Sequence, residues 1–195
     1  PVCSSAASDV YKRQHPDMAA VSFTGGTQTG ARIAGHVAPK FKKMSLELGG
    51  KNPAIVFADA DFDEALRTTL RSSFANQGQI CLCGSRILVE RTVYDKFRDA
   101  LVAKASKMVA DLPLKPTTKM GAVVSEAHME KILGHIELAK EEGGTVLCGG
   151  RRVHPEGGEA GFYVAPTVIE GLGPDCRTNQ EEILSLIHIS EPTRR

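Results

Sequence analysis

The chain has 195 residues, which is one ordinary domain by length and at most two small ones. With 42% hydrophobic and 24% charged residues it reads as globular, and no apolar run approaches the ~20 residues of a membrane helix. Lys+Arg of 24 against Asp+Glu of 23 leaves a net charge of +1, which gives no electrostatic basis for a nucleic-acid or anionic-membrane partner.

The two ends read differently from the middle. Leu184-Ser185-Leu186-Ile187-His188-Ile189 can be encoded by CTG TCT CTT ATA CAC ATC. The reverse complement of that DNA translates as Asp-Val-Tyr-Lys-Arg-Gln, which is Asp9 to Gln14. Inverted repeats at both ends of a coding segment are the pattern of library adapters, and the flanking Ser4-Ser5-Ala6-Ala7-Ser8 and Ser190-Glu191-Pro192-Thr193-Arg194 fit it. Residues 1–14 and 184–195 are therefore expected to be adapter-derived, leaving His15 to Ile183 as the segment that carries fold and function.

Within that segment, the apolar run Ala20 to Thr24 predicts a strand that enters Gly25-Gly26-Thr27-Gln28-Thr29-Gly30. Ile33, Ala34, Val37 and Ala38 recur with helical spacing until Pro39. Met44 to Leu48 predicts a second strand, ending at Gly49-Gly50, and Pro53 to Phe57 a third. Asp61 with Glu64 reads as a capping box opening a helix that carries Ala65, Leu66, Leu70 and Phe74 and stops near Gly78. A strand over Arg86 to Glu90 follows, then an amphipathic helix over Val93 to Val109 and another over Ser125 to Lys140. Gly143-Gly144 precedes a strand at Thr145 to Cys148. Arg151 to Gly161 reads as a polar loop, and Phe162 to Ile169 as a last strand containing Pro166. Alternating strands and helices predict an α/β fold with a largely parallel sheet.

Three stretches could carry chemistry. Thr24-Gly25-Gly26-Thr27 lies between a strand and a helix, where free backbone N–H groups and the helix dipole suit an anion. It is neither a P-loop nor GxGxxG, and alone it is more often just a structural turn. Glu47 is the carboxylate at an apolar strand end before two glycines. Partial desolvation there raises a carboxyl toward general-base range, while an exposed glutamate paired with Lys51 explains the same pattern. Cys81 and Cys83 sit in a loop between helix and strand, the usual presentation of a nucleophilic thiol, though buried packing cysteines are commoner. Two residues on from Cys81, Cys83 is expected to face away and pack. The five cysteines lack zinc-ligand spacing and fit a reducing, cytoplasmic setting; no metal is expected. Asp59-Ala60-Asp61-Phe62-Asp63 fails as a calcium loop, because Glu64 stands where Gly is needed and Leu70 where Glu is needed. His128 and His135 read as surface or packing residues, Cys148 and Cys176 as ordinary thiols, and Lys40, Lys42 and Lys43 as a solvated face.

Taken together, the three stretches resemble the NAD(P)-dependent aldehyde dehydrogenase superfamily over nearly all of His15 to Ile183. The family's glutamate signature is similar to Leu46-Glu47-Leu48-Gly49-Gly50-Lys51-Asn52-Pro53. Its cysteine signature is similar to Phe74 through Ser85, and Glu47 and Cys81 stand 34 residues apart, as in the family. Glu181-Glu182-Ile183 is similar to the start of its Glu-Glu-Ile-Phe-Gly-Pro motif. The resemblance implies the end of a Rossmann-type cofactor domain at 15–48 and the first part of an α/β catalytic domain at 49–183. It implies Cys81 as nucleophile, forming a thiohemiacetal and then a thioester, and Glu47 as the base that activates the hydrolytic water. It also implies Thr24, Gly25, Gly26, Thr27, Gly30 and Leu48 around the cofactor, with Glu182 on the nicotinamide ribose. The cofactor expected is NAD, with NADP left open; the partners expected are a small aldehyde and further copies of the parent chain, as a dimer or tetramer. Arg71-Ser72-Ser73-Phe74 and Asn76 through Cys83 look most like the 2-aminomuconic and 2-hydroxymuconic semialdehyde dehydrogenases, with retinal- and betaine-type enzymes as the alternatives. The family's oxyanion-hole asparagine and its adenosine-ribose residues have no counterpart before His15, so the isolated chain is expected to be inactive. A non-catalytic homologue serving as a structural or binding domain is the competing reading.

Overall fold

The computed structural model describes residues 15–183 and the backbone of 187–193. The chain divides into two compact units, one reaching to Gly49 and the other starting at Gly50. Asp9 to Gln14 and Leu184 to Leu186, from the tails expected to be adapter-derived, lie outside the described residues.

The first unit is a strand–helix–strand crossover. β1 (Ala20–Gly25) pairs in parallel with β2 (Lys43–Leu48), in a register that sets Thr24 opposite Glu47 and Gly25 opposite Leu48. Between them runs α1 (Thr27–Val37), which buries Gly30, Ile33 and Val37; of the expected stripe, Ala34 is half-buried and Ala38 lies exposed beyond the helix end. A Cβ on Gly30 would lie 2.6 Å from the Leu48 side chain, so the absence of one lets the helix close on β2. Pro39 sits in a tight turn that ends the helix.

The second unit is built on a five-stranded sheet in the order β3 (Asn52–Val56), β4 (Gly84–Glu90), β9 (Ile187–Thr193), β8 (Thr167–Glu170), β5 (Thr145–Cys148). The first three pairings are parallel and only β5–β8 is antiparallel. α2 (Phe62–Phe74), α3 (Tyr94–Ala105) and α4 (Glu126–Glu141) supply the buried stripes Leu66/Phe74, Phe97/Leu101/Ala105 and Met129/Ile132/Ile136/Ala139. These meet Ile87, Val89 and Ile169 of the strands in one core. Phe62 meets Phe97 edge-on, with centroids 5.8 Å apart.

Several expectations need correction. Asp61 caps α2 by accepting from the Glu64 N–H at 2.8 Å, but Glu64 turns its carboxylate to Arg67 and Thr68, so only half of the capping box forms. α3 ends at Ala105, not Val109. Lys107 and Met108 donate to carbonyls three residues back, and the Val109 carbonyl is taken by the N–H groups of Lys119 and Met120. The supposed loop at Arg151 begins with a strand, β6 (Arg152–Val153), antiparallel to β7 (Tyr163–Val164). The predicted strand over Phe162 to Ile169 is split between two sheets, because Pro166 cannot donate to a ladder. A short helix, α5 (Arg177–Gln180), was not foreseen.

Candidate active site

In the first unit, parallel pairing brings the C-terminal ends of β1 and β2 to the same end as the start of α1. Thr24, Gly25, Gly26, Thr27, Glu47 and Leu48 therefore gather at one sheet end, where α/β sheets bind ligands. α1 begins after an extended Gly26, without a side-chain cap and without an acidic residue in its first turn. Its first N–H groups have no intrahelical partner, and the space beside Gly26 is open, which suits a phosphate on the helix axis. Gly30 and Leu48 face each other instead, setting the helix against the strand. Glu47 is exposed at the strand end, so of the two readings open for it the desolvated one fails: its apolar neighbours Leu46 and Leu48 are themselves only half-buried and do not enclose it.

In the second unit, α2 leads into the loop that carries Cys81. Asn76, Gln77 and Gly78 take left-handed backbone with φ of 49°, 57° and 72°. Two successive non-glycine residues there are uncommon and cost energy that the surroundings must offset. Asn76 helps by accepting the Gln79 N–H at its carbonyl, 3.0 Å, and the Gln79 side chain accepts from the Val124 N–H at 3.2 Å. At the far end of the loop, the Ser73 hydroxyl donates to the Gly84 carbonyl at 2.9 Å, and the Gly84 N–H donates to the Ser72 hydroxyl at 3.3 Å. A Cβ on Gly84 would lie 2.8 Å from that Ser72 oxygen. α2 and β4 are thus stapled, and the loop is anchored at both ends.

The two cysteines of the loop differ sharply. Cys81 is an exposed free thiol, whereas Cys83 is buried with its sulfur 3.8 Å from the Ala75 carbonyl. Burial pushes the Cys83 thiol up, away from the reactive anion. Cys81, Glu182, Lys51, Asn52 and Ser85 line one small pocket, and the buried Ser85 hydroxyl has no hydrogen-bond partner there. The Glu182 carboxylate accepts from the Gly50 N–H at 3.1 Å, and its carbonyl accepts from Lys131 at 2.8 Å. Desolvation, helped by the nearby Arg86 charge, pulls the Lys51 amine down to about 8 against the opposing pull of Cys176 and Glu182. Lys51 was expected only as a possible partner of Glu47, Asn52 stood in the motif without a role, and the Ser72/Ser73 staple had no signal in the sequence. His135, with its proton affinity lowered by burial, lies 3.9 Å from Glu181, while the His128 N–H is capped by Ser125.

Comparison with known proteins gives the family and the fold. Residues 6–188 match the model of the aldehyde dehydrogenase family. The chain is 44% identical over 181 residues to 2-aminomuconic semialdehyde dehydrogenase of Danio rerio, covering 91% of this chain and 37% of that protein. It is 40% identical over 169 residues to betaine aldehyde dehydrogenase of Vibrio vulnificus, covering 87% of this chain and 34% of that protein. A crystal structure of betaine aldehyde dehydrogenase from Staphylococcus aureus in complex with NAD+ superposes with a TM-score of 0.92 at 36% identity, over 96% of this chain and 37% of that one. The chain belongs to the aldehyde dehydrogenase family and has its α/β fold. It spans little more than a third of the length of these relatives.

Proposed function

We propose that the enzyme to which this chain belongs oxidises an aldehyde to a carboxylic acid with NAD(P)+, through a covalent intermediate on Cys81. The observation that carries the reading is the contrast between the two loop thiols. Both line the pocket that also holds Glu182, but Cys81 is exposed there, while Cys83 is buried in its wall and its thiol is pushed up. Cys81 adds through its sulfur to the aldehyde carbon, giving a thiohemiacetal whose oxygen needs hydrogen-bond donors around the loop. The nicotinamide cofactor, when bound, supplies the hydride acceptor that converts this adduct to a thioester. Thr24, Gly25, Gly26 and Thr27 would hold its phosphate end against the open N-terminus of α1, with Gly30 and Leu48 fixing that helix. Glu182, already oriented by the Gly50 N–H, would accept from the ribose hydroxyls. Glu47, open to solvent at its strand end, takes the proton from the water that hydrolyses the thioester.

The substrate class we infer is a small semialdehyde that bears a carboxylate, of the muconic kind. Higher identity to the 2-aminomuconic semialdehyde dehydrogenase of Danio rerio than to the betaine aldehyde dehydrogenase supports this choice. In the full-length enzyme, Cys81→Ala is expected to abolish aldehyde-dependent reduction of NAD+, a loss of at least ~10³-fold for removal of a covalent nucleophile. Full turnover in that variant contradicts the reading and favours a non-catalytic role for this loop.

A further inference from the structure

We propose that Asn52 is a positioning residue for Cys81, clamping the backbone of the nucleophile loop through one amide group; this rests on the reading of Cys81 as nucleophile. Asn52 opens β3, where its register partner is Gly84, the residue that ends the cysteine loop. Its Nδ2 donates to the Cys81 carbonyl and also to the Cys83 carbonyl, at 3.2 Å for the latter. A third bond, from the Cys83 N–H to the Ile80 carbonyl at 2.9 Å, closes the turn between them. The carbonyls on either side of Leu82 are thus both tied to a side chain from another strand.

The consequence follows from planar peptides. Fixing the Cys81 carbonyl fixes the plane of the 81–82 peptide, and the Ile80–Cys83 bond holds the turn around it. The Cys81 backbone is left little freedom, so its side chain is presented in one direction, toward the pocket it shares with Glu182. The same clamp holds Cys83 in the buried wall of that pocket, its sulfur against the Ala75 carbonyl. An amide suits the task because its NH2 group carries two donors and can serve two carbonyls at once. A carboxylate of the same shape has none, and would set its oxygens against both carbonyls.

Two readouts test the clamp, one without any substrate. In the 195-residue chain, iodoacetamide followed by peptide mapping gives the ratio of alkylation rates at Cys81 and Cys83. Asn52→Asp is expected to lower that ratio about tenfold, as the turn opens and Cys83 becomes reachable; two lost hydrogen bonds are worth about that much. Asn52→Ser, which keeps one donor, should fall between. If Asn52→Asp has no cooperative thermal transition, the Ser variant alone decides. An unchanged ratio in whichever variants are folded overturns the proposal. In the full-length enzyme, kcat per alkylatable Cys81 should drop ~10- to 100-fold in Asn52→Asp while the KM for NAD+ stays put, since a misaimed nucleophile costs rate and not cofactor binding. Normalising to titrated thiol removes any loss from unfolded protein, so an unchanged value also overturns it. A wild-type enzyme that turns over no aldehyde refutes the proposed function instead, and leaves the alkylation ratio to decide the clamp.

Discussion

Three consecutive left-handed residues just ahead of Cys81, two of them not glycine, show where the fold spends conformational energy. Lys51 is a second such place, this time electrostatic. Its amine titrates near 8 in the folded chain, below the 10.5 of a free lysine, because burial disfavours the charge and Arg86 lies nearby. The unfolded chain therefore binds the proton more tightly. The cost to stability is fully present below pH 8 and fades as pH rises through 10.5, above which neither state holds the proton. Lys51→Met should raise the melting temperature at pH 7, by ~2–4 °C for each kcal/mol recovered in a chain of this size. The gain should shrink as pH climbs toward 10.5; a gain that is flat across pH, or none, contradicts the assignment. At this scale the sequence was only partly legible. Cys83 packs as expected, but it does not face away, since it shares the wall of one pocket with Cys81. The work of Asn52 could not be read, since its two carbonyl partners lie about thirty residues further on and only β3–β4 pairing brings them within reach. Glu47 could be read as desolvated or as exposed; Leu46 and Leu48 flank it, but neighbours along a strand point to the face opposite its own and cannot enclose it.

Elements with local signals were read well, and those defined by long-range contacts were not. α2 and α4 begin where Asp61 and Ser125 cap them, and their buried stripes follow helical spacing. α5 escaped because its start is held from a distance: Glu142 accepts from the N–H groups of Arg177 and Thr178 and from the Thr178 hydroxyl. The split of β7 from β8 turns on Pro166, whose meaning for the ladder was available in the sequence. The pairing of β7 with β6 was not, because a strand of two residues has no periodicity. The turn beside it makes a sharp test. Gly149 has φ of +76°, and a Cβ there would lie 2.1 Å from the Pro166 carbonyl oxygen, a backbone atom that cannot step aside. Gly149→Ala should cost ~1–3 kcal/mol from the left-handed backbone alone, with the clash adding to it, and should lower the urea midpoint accordingly. Gly26→Ala, at ordinary φ in open space, should change that midpoint little. Equal effects of the two substitutions would contradict the described turn.

At the scale of the whole chain, the sheet itself shows what sequence does and does not determine. β9 runs between β4 and β8, in parallel register with each, although Ile187 to Thr193 lie in the tail expected from the sequence to carry no fold. The family match runs over residues 6–188, and the glutamate strand, the cysteine loop and Glu182 lie within it. Their order and spacing made the α/β aldehyde dehydrogenase fold legible before any coordinates, while the substrate was not, since the chain covers only about a third of its relatives' length.

The central claim is that Cys81 carries the acyl group and that Glu47 releases it. The most direct measurement is mass spectrometry of the full-length Glu47→Gln enzyme, quenched after mixing with NAD+ and 2-hydroxymuconic semialdehyde. The account predicts a Cys81 peptide heavier by the aldehyde less one molecule of hydrogen, accumulating as hydrolysis slows. An unmodified Cys81 during continuing turnover, or an acyl group found on another residue, would contradict it.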